Sequence, residues 1–173
     1  MCVQSWRPLV QSWRPLVPPL YKVNVDGAIF LSQHETGVGF VVRDGQGLVM
    51  AALSKNIKQP VCLLEIKAKV LKEGIRFARD IGIQEFVLER DSQVVVNAMT
   101  GCSHPPSSIA LICSLSHEFR GVEVSHTRRD RNVPAHLLAK DTLGAKHYVT
   151  CIEENPSLLE YILSNDVIAF CFI

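Results

Sequence analysis

Apolar and polar positions alternate from Tyr21 to Ala28, in YKVNVDGA. In an extended chain Tyr21, Val23 and Val25 share one side, and Lys22, Asn24 and Asp26 share the other. This predicts a strand with an acidic end, followed at once by Gly27, where the chain can bend. Thr36–Arg43 (TGVGFVVR) and Leu48–Lys55 (LVMAALSK) read as a second and a third strand. The Asp44-Gly45-Gln46-Gly47 run between them has the chemistry of a hairpin turn, so the sheet opens with three antiparallel strands.

At Pro60 the period becomes helical. Leu64, Ala68, Leu71, Ile75 and Ala78 recur at intervals of four and three, one face of a helix that runs to about Ile81 and stops at Gly82. Glu65 lies beside that face, and Lys69, Lys72, Arg76 and Arg79 follow at helical spacing. Phe86–Glu89 is a fourth strand, and Ser92 caps a helix whose inner residues are Val95, Ala98 and Met99. A Ser/Pro-rich loop over Gly101–Ser108 leads into a helix over Ile109–Phe119, with Ile109, Ile112, Leu115 and Phe119 inward. Val122–His126 is a fifth strand, Thr127–Val133 an arginine-rich loop, and Pro134 opens a helix to about Lys146. Ser157 caps a last short helix. The order β-β-β-α-β-α-α-β-α predicts an α/β domain with a five-stranded mixed sheet, three antiparallel strands then parallel ones, flanked by helices.

Outside this regular stretch the pattern changes. Residues 4–17 hold QSWRPLV twice in tandem and run into Pro18 and Pro19. Proline density and the lack of helical period make residues 1–20 an extended linker. The domain then spans 21–150, and 151–173 is a tail with one short helix. The apolar run Val167–Ile173 has seven residues, far short of a membrane span.

Composition narrows the classes. The 173 residues are 47% apolar and 20% charged, enough for one domain with a real core. A formal net charge of +1 offers no global field to attract nucleic acid, so such binding must come from local patches. The six cysteines (Cys2, Cys62, Cys102, Cys113, Cys151, Cys171) form no CxxC and no zinc spacing with histidine. MCVQSWRP has no apolar core of a signal peptide. An intracellular protein, nuclear or cytoplasmic and not secreted, with reduced and mostly buried thiols is expected.

Three carboxylates occupy comparable places. Asp26 ends the first strand, Glu65 lies in the first turns of the long helix, and Asp91 ends the fourth strand. If those strands pair in parallel through the helical crossover, Asp26 and Asp91 emerge side by side under Glu65. Acids that close repel unless a cation sits among them, and hard oxygen donors suit magnesium or manganese.

With VDGA at Val25–Ala28, LLEIKA around Glu65 and LERDSQVVV around Asp91, the chain resembles the ribonuclease H family. More narrowly it resembles the plant ribonuclease H-like domains related to retroelement reverse transcriptases, over roughly Tyr21–Lys146. The resemblance implies cleavage of the RNA strand of an RNA–DNA hybrid by two divalent ions (Mg²⁺ or Mn²⁺) about 4 Å apart. It implies Asp26 bridging both ions, Glu65 and Asp91 holding the leaving-group ion, and His126 as proton carrier. It also implies a fourth acid early in the last helix, ten residues after that histidine. Here the chain departs: in HTRRDRNVPAHLLAK, Asn132 matches the family, but the acid position is His136, a poor magnesium ligand. Asp141 lies about 140° further round the helix and is no substitute.

Gly27, Asn132, Arg128, Arg129 and Arg131 are candidate nucleic-acid contacts, with Lys69 and Arg76 as further phosphate partners or plain charged surface. The expected protein is a monomer that binds RNA–DNA hybrid or RNA and no membrane. The expected function is that of a divalent-metal-dependent, hybrid-directed endoribonuclease weakened by His136, and the alternative is a module that binds nucleic acid without cutting it.

Overall fold

The computed structural model describes residues 21–58, 63–100, 107–144 and 148–163. The strands are β1 (Tyr21–Phe30), β2 (Glu35–Arg43), β3 (Val49–Lys58), β4 (Glu85–Arg90), β5 (Gly121–His126) and β6 (Val149–Ile152). The helices are α1 (Leu63–Asp80), α2 (Gln93–Thr100), α3 (Ser107–Ser116) and α4 (Val133–Asp141). The WRP leader, Pro60, the Ser/Pro-rich loop to Pro106, four of the six cysteines (Cys2, Cys62, Cys102, Cys171) and the apolar run Val167–Ile173 lie outside the described residues, as do the side chains of Leu64 and Ile109. Cys113 and Cys151 are free thiols, each half-buried. No helix among the described residues is long and apolar enough to cross a membrane.

One mixed sheet runs in the order β5-β4-β1-β2-β3-β6. β1, β2 and β3 pair antiparallel in sequence. β4 then joins β1, and β5 joins β4, both in parallel. The sheet has six strands rather than the expected five. The sixth, VTCI, pairs antiparallel with β3 at the outer edge. It is only four residues long and mostly exposed, so neither alternation nor a strong turn signal marks it in the sequence.

Alternation sorts the central strands between two cores. Val23, Val25, Val38, Phe40, Phe86 and Leu88 face the α1 side, where Leu71, Ile75, Ala78 and Ile112 cover them. Val41, Val49 and Ala52 face α4 and the chain after β6, meeting Leu138, Leu159 and Leu163. Two glycines make the second contact close. A Cβ on Gly37 would lie 1.9 Å from Ala139 O, and one on Gly39 would lie 2.1 Å from Ala135 O. Only hydrogen at those positions lets α4 rest on β2.

α4 ends at Asp141, not near Lys146. Thr142 turns its hydroxyl back to Ala139 O, and Gly144 takes φ +73, a left-handed conformation that suits glycine and closes the turn. The apolar spacing continues past that stop and hides it.

Candidate nucleic-acid site at the diverging ends of β1 and β4

β1 and β4 stay in register from Tyr21↔Phe86 to Asn24↔Glu89, and their pairing ends there. Two residues further along the chain come Asp26 and Asp91. Asp26 does not end its strand, and the chain does not bend at Gly27: β1 runs on to Phe30, paired with β2, while Asp91 lies just past the end of β4. The β1–β4 ladder therefore stops while β1 continues beside β2 alone, which leaves the β4 side of β1 open from Val25 onward. Asn132 fills the gap in the ladder. Its Nδ2 donates to Val25 O at 3.0 Å, fully buried. Thr127 N donates to Arg90 O at 2.8 Å, which ties down the start of the same loop.

With α4 anchored by Asn132 and pressed onto Gly37 and Gly39, its first turns pass over Asp26. His136 Nδ1 lies 2.6 Å from Asp26 Oδ2. The two side chains are within hydrogen-bond distance, with the donor set by the imidazole tautomer. Asp26 itself is buried. Asp91 is half-buried, and its Oδ2 faces Arg129 Nε at 3.5 Å. The His126 ring Nε2 stands 3.3 Å from the backbone oxygen of Asp91, with the ring exposed.

Two residues of this region were not singled out by the sequence pattern. Glu89 ties the polar side of β1 to β4: Lys22 Nζ is 2.7 Å from Oε1, and Asn24 Nδ2 donates to Oε2 at 2.8 Å. The signal was present, since Lys22 and Asn24 share Asp26's face, but their partner depends on the β1–β4 register. Arg90 is the second. It follows Phe86 and Leu88 on the α1 side of β4, is 4% exposed, and donates from Nη1 to Lys67 O at 2.9 Å. Burial pushes its guanidinium below the usual arginine range, while Asp26 and then Asp91 pull it back up. Following the strict alternation of FVLER one residue further would have pointed it inward.

The remaining candidates are more open. Glu65 sits exposed in the first turn of α1. Arg128 and Arg129 are exposed, Arg128 facing Asp130 at 3.9 Å, and Arg131 and Gly27 are half-buried. Lys69 is half-buried, and Arg76 pairs with Glu73 along α1 at 3.6 Å.

The expected cage is not the arrangement found. Among the described residues no three His, Cys, Asp or Glu side chains stand close enough to hold a metal ion together. Asp26 is engaged by His136, Asp91 faces Arg129, and Glu65 turns to solvent. Carboxylate oxygens suit Mg²⁺ or Mn²⁺, but as arranged these donors do not fit a pair of divalent ions.

A family model described as reverse transcriptase-like matches residues 24–142, which spans β1 through α4. No curated protein is similar enough to match. Among solved structures, the chain is similar to RNase H1 from the archaeon Halobacterium salinarum, at 23% identity and TM-score 0.65, covering 72% of this chain and 97% of that one. It is similar to the N-terminal RNase H domain of a Mycobacterium tuberculosis protein, at 24% identity and TM-score 0.62, with 72% and 94% covered. It also resembles LC11-RNase H1, solved in complex with RNA/DNA hybrid, at 19% identity and TM-score 0.61, with 70% and 94% covered. The chain therefore belongs to the reverse transcriptase-like family, and its described residues form a ribonuclease H-like domain.

Proposed function

We propose that this chain is a ribonuclease H-type nucleic-acid domain that binds RNA–DNA hybrid across the diverging ends of β1 and β4, with cleavage of the RNA strand suppressed. The observation that carries this reading is the 2.6 Å contact between His136 Nδ1 and Asp26 Oδ2. Asp26 is the acid that the family resemblance puts at the centre of the reaction. An imidazole in the fourth acid's place takes one of its oxygens and removes a carboxylate from the donor set.

Hybrid is the ligand class supported by the LC11 relative, whose structure holds one. The exposed guanidinium groups of Arg128 and Arg129 suit phosphate, with Arg131 behind them. Gly27 follows Asp26 where a Cβ would stand 2.8 Å from Val70, and Asn132 ties the end of the arginine loop to Val25 O. On this reading His126 is a contact at the rim of the site, with no proton to carry. Glu65 and Asp91 shape the acidic end without reacting.

A second reading keeps its claim because carboxylates stand at all three family positions, Asp26, Glu65 and Asp91. It is endonucleolytic cleavage of hybrid dependent on Mg²⁺ or Mn²⁺. Incubating labelled hybrid with the full chain separates the two. Retention of intact hybrid, unchanged by EDTA, is expected. Metal-dependent cleavage that disappears in Asp26→Asn would establish the second reading instead. Neither retention nor cleavage would sink both.

A further inference from the structure

We propose that β6 is a dimerisation edge: a second copy of this chain lays its own β6 antiparallel against it, centred on Thr150, so that the two sheets run on as one. The inference is independent of the nucleic-acid reading, because β2 and β3 separate β6 from the β1–β4 end. The monomer expected from the sequence is then the dilute form.

The free side of β6 follows from its ladder with β3. Glu153 N donates to Met50 O at 2.9 Å, and the register sets Cys151 opposite Ala52. Hydrogen-bonded and non-bonded pairs alternate along an antiparallel ladder, so Val149, Cys151 and Glu153 turn their peptide groups to β3. Those of Thr150 and Ile152 point the other way, where no strand follows β6. Tyr148, Val149 and Ile152 are 67%, 60% and 60% exposed beside that edge. Open edges are commonly guarded by lysine, proline or a bulge, and none of these occurs over Tyr148–Ile152. The opposite edge of the sheet, β5, carries Glu123 and has α2 packed against it.

Symmetry selects both the occupant and the register. Two copies of one strand that pair antiparallel are related by a two-fold axis normal to the sheet, so each residue meets its mirror position about a central one. Centred on Cys151, the pairing would set Val149 against the partner's Glu153, apolar against charged. Centred on Thr150, it sets Val149 against the partner's Cys151, Ile152 against the partner's Tyr148, and Thr150 against the partner's Thr150. Aromatic on β-branched and threonine on threonine are pairs that stabilise a sheet. The faces agree as well. Thr150 and Ile152 lie on the α1 side with Leu53 and Ala51, and Cys151 lies on the α4 side with Ala52. A strip this short gives a weak dimer that forms with rising concentration. The same axis turns the two β1–β4 ends in opposite directions, so the dimer presents two separate sites.

The test is sedimentation velocity of the full chain over a concentration series in reducing buffer. The sedimentation coefficient is expected to rise with concentration toward that of a dimer. Thr150→Pro removes an outward N–H that β3 does not use, which an edge strand tolerates, so the fold stays and the rise is lost. Should Thr150→Pro not fold, Ile152→Lys at an exposed position is expected to give the same loss. A parent that stays monomeric throughout overturns the proposal, as does a folded Thr150→Pro or Ile152→Lys protein that associates like the parent. Slow amide exchange at Thr150 and Ile152 in a monomer would put another segment of this chain on the edge, and overturns it too. Val149→Cys under mild oxidation reads the register. Opposed non-hydrogen-bonded residues lie within disulfide reach, so a linked dimer is expected, and adding Cys151→Ser abolishes it. A parent linked through Cys151 alone, or a Val149→Cys protein that does not link, overturns the pairing centred on Thr150.

Discussion

At the scale of single residues, the site turns on which partner Asp26 has. His136→Asp removes the imidazole and puts a carboxylate where the family has one. Cleavage of labelled hybrid in Mn²⁺ is expected to rise above the parent's. If the variant cuts no faster than the parent, His136 is not what silences the site. Asn132 gives a test of position rather than chemistry. Asn132→Ala leaves Val25 O buried without its donor, at a cost of about 1–3 kcal/mol in urea denaturation. Hybrid affinity should fall with it, because the loop that carries Arg128 and Arg129 loses its anchor.

The acids stood out in the sequence through VDGA, LLEIKA and ERDSQ, the last two at the start or end of a regular element, although VDGA lies inside β1 and not at its end. What those acids touch was not legible there. The bond between His136 and Asp26 joins residues 110 apart in the chain, and no local pattern encodes it. Arg90 was hidden for another reason. Arginine at a strand end reads as solvated surface, and only the alternation set by Phe86 and Leu88, together with the α1 backbone at Lys67, turns it inward.

At the scale of elements, the seating of α4 on β2 depends on two missing side chains. Gly39→Ala would set a Cβ 2.1 Å from Ala135 O, a backbone atom that cannot rotate away. The expected cost is about 2–3 kcal/mol, read as a lower urea midpoint with little change in slope. A Gly39→Ala protein as stable as the parent would mean that α4 is held less closely than described. The same spacing explains what sequence periodicity caught and missed. β1, β2 and β3 show clean alternation because one face of each packs on α1, and α1 shows its stripe because it covers that face. β6 carries no such stripe, since an edge strand with two exposed ends packs against little. α4 is shorter than its apolar spacing suggests, because its stop is a hydroxyl bond and a left-handed glycine rather than a break in that spacing.

At the scale of the whole molecule, a net charge of +1 means that attraction to nucleic acid is local and must be read from salt dependence. Replacing both Arg128 and Arg129 by Gln is expected to weaken hybrid binding in low salt and to reduce the salt slope by about 1 for each phosphate no longer neutralised. A slope that does not move would assign those arginines to surface solvation alone. The β-β-β-α-β order with its parallel crossover was enough to fix the ribonuclease H-like architecture, because right-handed crossovers leave β4 few places other than beside β1.

The hydrogen bond from Arg90 to Lys67 O also has mechanical meaning. Lys67 stands two positions after Glu65 in the opening turns of α1, so one guanidinium ties the tip of a strand to the start of the helix that bears the outermost acid. A shift of the β4 tip would therefore carry the helix start with it, and Glu65 along with both.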